Sequence, residues 1–126
     1  MTKLLLSFAA LLALLSVDAV AGEKKLTGAE IKAAYTGAKT VTTRSYGTFI
    51  AVWKADGTIA GKEKQGGFPP DKGKWWVKGD TLCRKWGAWA GGIEECFGVS
   101  LNGKKVKLWR ADGSDAYPNS PITLTK

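Results

Sequence analysis

Two cysteines and two glycine-containing turns between residues 74 and 110 constrain the fold more than any other feature of this chain. If Cys83 lies opposite Cys96 on neighbouring antiparallel strands, Leu82 faces Phe97 and the positively charged Arg84 faces a glutamate. Apolar side chains then meet apolar ones and opposite charges meet, whereas a slip of one residue would turn every side chain to the other face. The pattern therefore predicts an antiparallel strand pair that carries one disulfide.

Two turn signals extend this pair into a larger sheet. Gly79-Asp80 has the form of a two-residue hairpin loop, and Asn102-Gly103 is a type I′ hairpin signal. With Asn102-Gly103 at the centre of its turn, Glu95 falls opposite Arg110 and lies between that residue and Arg84. One face of the predicted sheet is apolar and faces the core. Its residues are Trp75, Val77, Leu82, Trp86, Phe97, Val99, Leu101, Val106 and Leu108.

The rest of the chain predicts one helix and further short strands. Thr27 and Glu30 have the spacing of a helix capping box, and Gly37 can end the helix in a left-handed conformation. The expected strands are 40–46, 47–54, 58–64, 74–78, 81–86, 93–101, 104–110 and 114–125, the last broken by Pro118 and Pro121. We therefore predict a mainly β domain, a small antiparallel meander of about eight strands preceded by one short helix, which closes into a barrel; a two-sheet sandwich is the alternative.

Residues 1–21 have the composition of a cleavable signal peptide. Lys3 supplies a positive charge, residues 4–15 form an almost unbroken apolar run, and small residues precede a cleavage site after Ala21. The apolar run is about a dozen residues long, short of the roughly 20 that a membrane-spanning helix needs. We therefore predict export to the periplasm or the medium, a single mature domain at 22–126 without a transmembrane segment, and an oxidised Cys83–Cys96 pair.

The composition of the chain narrows the range of functions that it can have. The chain carries 19 Lys and Arg against 11 Asp and Glu, a net charge of +8, and it has no histidine. It therefore lacks the commonest general base and the commonest metal ligand. Glu94 and Glu95 are neighbours on a strand, so they point to opposite faces and cannot share a substrate. We predict a non-enzymatic, monomeric protein with no cofactor or metal, which is attracted to anionic partners.

The first candidate site lies at one end of the predicted barrel. One carboxylate between two guanidinium groups leaves a positive charge for a small anionic or amphipathic ligand. The alternative is a salt-bridge triad that closes the barrel end, with a tryptophan stacked on Arg84. Trp89, on a glycine-rich loop, is either a lip of the site or a cap folded back over the barrel. The predicted site residues are Arg84, Glu95, Arg110, Trp75 and Trp89.

The second candidate is a basic surface on the outer face of the sheet. Its lysines alternate with Trp76 and Trp109, an arrangement that suits an anionic polymer or the lipid headgroups of a cell envelope. The alternative is that the two tryptophans shield the disulfide while the lysines are solvated. The lysines of the basic surface are Lys74, Lys78, Lys85, Lys105 and Lys107.

The order of motifs resembles a family of small exported bacterial proteins classed as a domain of unknown function. The resemblance covers essentially the whole mature chain and implies export, the Cys83–Cys96 bridge and a lipocalin-like barrel. It implies no activity, and the usual lipocalin motif is not visible at the start of the barrel, so it does not imply ligand binding. The motifs that carry it are the helix from Leu26 to Ile31, Gly73-Lys74-Trp75, Gly79-Asp80-Thr81-Leu82-Cys83, Glu95-Cys96-Phe97 and a final Ala-Asp-Gly.

Overall fold

The computed structural model describes residues 24–126, so the expected signal peptide and its cleavage site lie outside the described residues. In the described part, one helix precedes eight antiparallel strands, each paired with the next, and the last strand pairs with the first to close a barrel. The predicted barrel is confirmed, and the sandwich alternative is wrong. The elements are α1 (Gly28–Tyr35), β1 (Ala38–Arg44), β2 (Gly47–Trp53), β3 (Thr58–Glu63), β4 (Asp71–Lys78), β5 (Thr81–Trp86), β6 (Glu94–Asn102), β7 (Lys105–Trp109) and β8 (Ile122–Thr125).

Helix α1 begins at the predicted capping box and closes one end of the barrel. Thr27 Oγ1 accepts a hydrogen bond from the Glu30 N–H at 3.2 Å, and the Glu30 carboxylate accepts one from the Thr27 N–H at 2.8 Å. The buried side chains of Ile31 and Tyr35 join the barrel core. The first helical N–H donates to Asp80 in the β4–β5 turn at 2.8 Å. The loops at the opposite end therefore surround the open end of the barrel.

The chain before α1 covers the part of β6 that extends past β5. Lys25 forms an antiparallel bridge with Ser100, and the Leu26 N–H donates to the Val99 carbonyl at 2.7 Å. The Trp109 indole N–H donates to Ser100 Oγ at 2.7 Å. Ser100 belongs to the same face of β6 as Cys96 but is buried beneath these neighbours.

The predicted register of β4, β5 and β6 is confirmed. Trp76 lies opposite Cys83, which lies opposite Cys96, and Arg84 lies opposite Glu95. The two cysteines form the disulfide. Hydrophobic matching and one short turn were therefore sufficient to align three strands.

The predicted centre of the β6–β7 turn is wrong by one residue, which shifts the register by two. Asn102 pairs with Lys105, so the loop residues are Gly103 and Lys104. Gly103 has φ +60°, whereas Lys104 has no positive φ. Glycine at the first loop position with an ordinary residue at the second is the type II′ pattern rather than type I′. Because the shift is an even number of residues, every side chain keeps its predicted face.

The shifted register separates residues that were predicted to be in contact. Arg110 follows the end of β7, is exposed, and donates to the Ala116 carbonyl at 3.3 Å rather than lying opposite Glu95. Trp109 lies opposite Gly98 and not opposite the disulfide. The predicted triad of two arginines around one glutamate is therefore wrong.

The seam between β7 and β8 is the shortest pairing in the described barrel. It consists of Lys105 with Thr123 and Val106 with Ile122. The rest of β7 pairs with residues 114–116, and the chain from 117 to 121, which contains both predicted strand-breaking prolines, then leaves the sheet before β8.

The core lies where the apolar face of the sheet was predicted. Val77 and Leu101 are partly buried against it. No helix in residues 24–126 has the length and apolar character to cross a membrane. The other predicted core residues are all buried: Trp75, Leu82, Trp86, Phe97, Val99, Val106 and Leu108.

Candidate functional site

A cavity of about 430 Å³ occupies the open end of the barrel. Seven of its thirteen lining residues are aromatic, two are arginines, and none is acidic. Strands β1, β2 and β5 and all four loops at the open end contribute to the wall. The lining residues are Thr40, Thr42, Arg44, Tyr46, Phe49, Ala51, Trp53, Phe68, Arg84, Trp86, Trp89, Ala90 and Tyr117.

Alternate residues of β1 contribute three polar side chains to the wall. Thr40, Thr42 and Arg44 share one face of the strand because side chains repeat with a period of two, and that face lines the cavity. The Trp53 indole N–H donates to the Thr40 hydroxyl at 2.9 Å. The sequence interpretation missed these residues, although their Thr-x-Thr-x-Arg spacing is the pattern of a strand with a polar inner face.

Tyr117 joins the two arginines of the cavity. The Arg84 Nη2 donates to the Tyr117 hydroxyl at 2.8 Å, and the guanidinium carbon of Arg44 lies 4.5 Å from the centre of the Tyr117 ring. Arg84 also lies over the Phe97 ring at 5.2 Å. Tyr117 belongs to the segment that leaves the sheet before β8, so it fills the wall where β7 and β8 are not paired.

The arginine cluster has an excess of one positive charge. The Glu95 Oε1 lies 3.4 Å from the Arg84 Nη2, and the two side chains are 22% and 15% exposed. The Arg84 Nε is buried without a hydrogen-bond partner among the described residues. Glu95 balances one of the two guanidinium groups, and the other is that of Arg44. Because the Tyr117 hydroxyl accepts from Arg84, its own hydrogen is available for donation.

The loop between β5 and β6 folds Trp89 into the barrel. The Asp71 carboxylate accepts the backbone N–H groups of Ala88 at 2.9 Å and Trp89 at 2.8 Å, and the Trp89 indole N–H donates to the Pro69 carbonyl at 3.1 Å. The centres of the Trp89 and Trp86 rings are 4.8 Å apart. Burial would raise the pKa of the Asp71 carboxyl, but the hydrogen bonds from the loop outweigh it and lower this pKa. Asp71 is thus a charged anchor for the cavity wall.

The turn after Trp89 has three consecutive residues in the left-handed backbone region. Ala90 is the non-glycine residue with a positive φ in residues 24–126, at 54°, and it is followed by Gly91 at 71° and Gly92 at 65°. A side chain in this left-handed region costs about 1–2 kcal/mol. The hydrogen bonds to Asp71 offset that cost and hold Ala90 in the cavity wall.

The five predicted site residues separate into two groups. Arg84 and Trp89 line the cavity; Glu95 contacts Arg84 but is not a lining residue, and Arg110 lies outside. Trp75 donates its indole N–H to the Lys54 carbonyl at 2.9 Å and packs against Trp53. The expected stacking partner of Arg84 is therefore wrong, because Arg84 lies over the rings of Phe97 and Tyr117.

The basic surface is present, but Trp109, one of its two tryptophans, already has partners within the protein. The Lys107 Nζ lies 4.1 Å and the Lys25 Nζ 5.2 Å from the centre of the Trp109 ring, while the indole N–H binds Ser100. Lys107 is half-buried. The other lysines of the basic surface are exposed: Lys74, Lys78, Lys85 and Lys105.

The cavity at the open end of the barrel and the basic surface thus carry the two functional hypotheses. In residues 24–126, no three side chains of the His, Cys, Asp and Glu types come together as metal ligands would. A comparison of the chain with protein-family models, curated proteins and solved structures found no match.

Proposed function

We propose that this chain is an exported, non-enzymatic binding protein that holds one small amphipathic monoanion in its barrel. The observation that carries the proposal is a cavity with two arginines in a largely aromatic wall that contains no acidic residue. Its volume of about 430 Å³ is within the usual range of small-molecule sites, roughly 300–1,000 Å³.

The charge of the arginine cluster supports a ligand with one negative charge. Arg44 and Arg84 contribute two positive charges and Glu95 one negative charge. A partly buried charge without a partner is unfavourable, so an anion that supplies the missing charge binds favourably. A carboxylate suits the site, because guanidinium groups bind it with two parallel hydrogen bonds and the Tyr117 hydroxyl can donate a third.

The remaining wall supports an apolar ligand body. The indole N–H groups of Trp53 and Trp89 are bound to Thr40 and to the Pro69 carbonyl, so these rings offer the cavity apolar surface rather than donors. The ring of Phe49 lies 5.4 Å from that of Trp89. The favoured ligand is therefore an aromatic or medium-chain alkyl carboxylate.

Export is supported by the signal-type composition of the first 21 residues. The Cys83–Cys96 disulfide is compatible with an oxidising compartment, either the periplasm or the medium.

Titration of the intrinsic tryptophan fluorescence with 1-naphthoate and dodecanoate tests the proposal, with their alcohol counterparts as neutral probes. An ionic hydrogen bond contributes about 1.5–3 kcal/mol, so Arg44→Met should weaken carboxylate binding roughly 10- to 100-fold. Arg110→Met, which removes an arginine outside the cavity, is the matched control and should bind as the unmodified protein does. Equal binding by both variants, or equal affinity for acids and alcohols, would refute the proposed anion site.

The alternative is that the basic surface binds anionic polymers or headgroups of the cell envelope. It requires that Lys105→Glu and Lys107→Glu together abolish sedimentation with envelope fractions. We favour the cavity because one of the two tryptophans of this surface, Trp109, already contacts Lys107 with its ring and Ser100 with its N–H.

A further inference from the structure

Exposed apolar side chains gather around the open end of the barrel. Tyr46, Phe68 and Ile93 are 62%, 39% and 60% exposed. They belong to the β1–β2, β3–β4 and β5–β6 loops, which antiparallel topology brings to the same end. The remaining exposed large apolar residue of the described chain, Val52 at 39%, lies near the other end of β2. We name Tyr46, Phe68 and Ile93 the apolar rim.

The two aromatic residues of the apolar rim are continuous with the cavity. The Tyr46 ring lies 5.8 Å from that of Phe68 and 5.7 Å from that of Phe49. Phe49 in turn contacts Trp89, whose ring contacts Trp86 deeper in the barrel. An apolar ligand can therefore move from the rim to the cavity along aromatic rings rather than through water.

Two carboxylates near the rim are turned towards the backbone of the loops. The Glu63 side chain accepts the N–H groups of Thr48, Gln65 and Gly67, at distances from 2.9 to 3.2 Å, and is buried. Asp71 is bound in the same way by the Trp89 loop.

Basic side chains remain available at the same end. Lys64 is exposed at the start of the β3–β4 loop, and Arg44 is half-exposed at the end of β1. Glu94, beside Ile93, is exposed and lies opposite Lys85. Together with the net charge of +8, this arrangement is complementary to an anionic surface.

We propose that the apolar rim docks on an anionic lipid bilayer, so that the ligand passes directly between the bilayer and the barrel. Tyrosine and phenylalanine beside basic residues are typical of the membrane interface, where the rings enter the headgroup region and the charges meet anionic lipids. A protein partner on the same rim would close the cavity, whereas a bilayer both covers the rim and dissolves an amphipathic ligand. The route of the ligand rests on the proposed function; the docking itself does not.

Sedimentation with vesicles tests the docking on the full mature chain. The vesicles contain phosphatidylglycerol and phosphatidylcholine in equal parts, or phosphatidylcholine alone. Ile93→Asp removes a rim side chain that does not line the cavity, and Val52→Asp removes an exposed β-branched side chain away from the rim. We expect binding to the anionic vesicles, at least tenfold weaker binding by Ile93→Asp, and unchanged binding by Val52→Asp.

Three results would overturn the proposal. One is that the unmodified protein does not sediment with anionic vesicles, and another is that both variants bind equally well or equally poorly. The third is that the unmodified protein self-associates and only Ile93→Asp abolishes this, which would make the rim an interface between two copies. The naphthoate titration of Ile93→Asp without vesicles separates the two proposals, because it should match the unmodified protein whether or not the docking fails.

Discussion

One added methyl group at Gly61, on β3, tests the inward position of Trp89. A Cβ built on Gly61 lies 2.4 Å from Cζ3 of Trp89 and 2.7 Å from Cη2 of Trp86. Both distances are far below the roughly 3.5–4.0 Å at which carbon atoms pack. Because the two indole rings are in contact with each other, Gly61→Ala requires Trp89 to move from its position in the wall.

General values for packed cores give the expected loss of stability in Gly61→Ala. An extra methyl group in a packed core costs about 1–3 kcal/mol, and the loss of glycine returns about 0.4–1 kcal/mol through the unfolded chain. The net destabilisation of Gly61→Ala is therefore about 1–2 kcal/mol, which in a domain of this size lowers the melting temperature by roughly 5–15 °C. Gly98→Ala is the matched control on β6, because its new Cβ would be 3.4 Å from the Trp109 Cβ, an ordinary contact. That variant should be as stable as the unmodified protein or slightly more stable.

Thermal unfolding followed by circular dichroism measures both variants. In a Trp89→Ala background the same Gly61→Ala substitution should cost at least about 1 kcal/mol less, because the ring that it displaces is gone. If Gly61→Ala and Gly98→Ala melt at the same temperature, and the cycle with Trp89 shows no coupling, the packing of Trp89 against β3 is refuted.

Three further outcomes are expected. Glu95→Ala should lower the free energy of unfolding by about 1–3 kcal/mol, because the mostly buried Arg84 loses its carboxylate partner. Glu94→Ala should lower it by less than about 1 kcal/mol, because this side chain is exposed. Equal melting temperatures for the two variants would contradict the difference in burial. The N–H groups of its loop lower the pKa of the Glu63 carboxyl, so Glu63 stabilises the fold above its unfolded-state pKa and loses that contribution as the pH falls through its folded-state pKa. Glu63→Gln should therefore be less stable than the unmodified protein at neutral pH but lose less stability in acid. Parallel profiles of stability against pH for the two proteins would contradict this. Mass spectrometry of the exported protein should give an amino terminus at Gly22 and two thiols that resist alkylation until reduction, and a free thiol in the folded protein would contradict the disulfide.

The β6–β7 hairpin illustrates what the sequence could predict. The alternation of apolar residues gave the correct core, because a register shift of two residues leaves every side chain on the same face. The prediction that Glu95 contacts Arg110 depended on which two residues form the turn. Asn102-Gly103 suits a type I′ turn, whereas Gly103-Lys104 suits type II′. The face of the sheet on which a side chain lies is thus a robust prediction from sequence. A specific ion pair between two strands, in contrast, depends on a single loop residue.

The cavity was only partly predictable for a different reason. Arg84 was recognised because its strand has a clear period and a charged partner. Phe68 and Tyr117 belong to proline-containing segments outside regular strands, where no periodicity indicates the direction of a side chain. Arg44 was within reach of the sequence, since it shares a face with two threonines of β1. The resemblance to exported proteins of unknown function stays a prediction from the motifs.

The short seam of the barrel has a consequence for synthesis. Strand β8 follows the other seven strands in the chain, and its pairing closes the barrel through two register pairs with β7 and four with β1. Without β8 the sheet would be open, with one edge of β1 and one of β7 lacking these partners, the form in which β-proteins associate edge to edge. A stop codon before Ile122 would make that state permanent. The residues of β8 therefore protect the barrel from aggregation more than their few contacts suggest, and an affinity tag is better placed before Lys24 than immediately after β8.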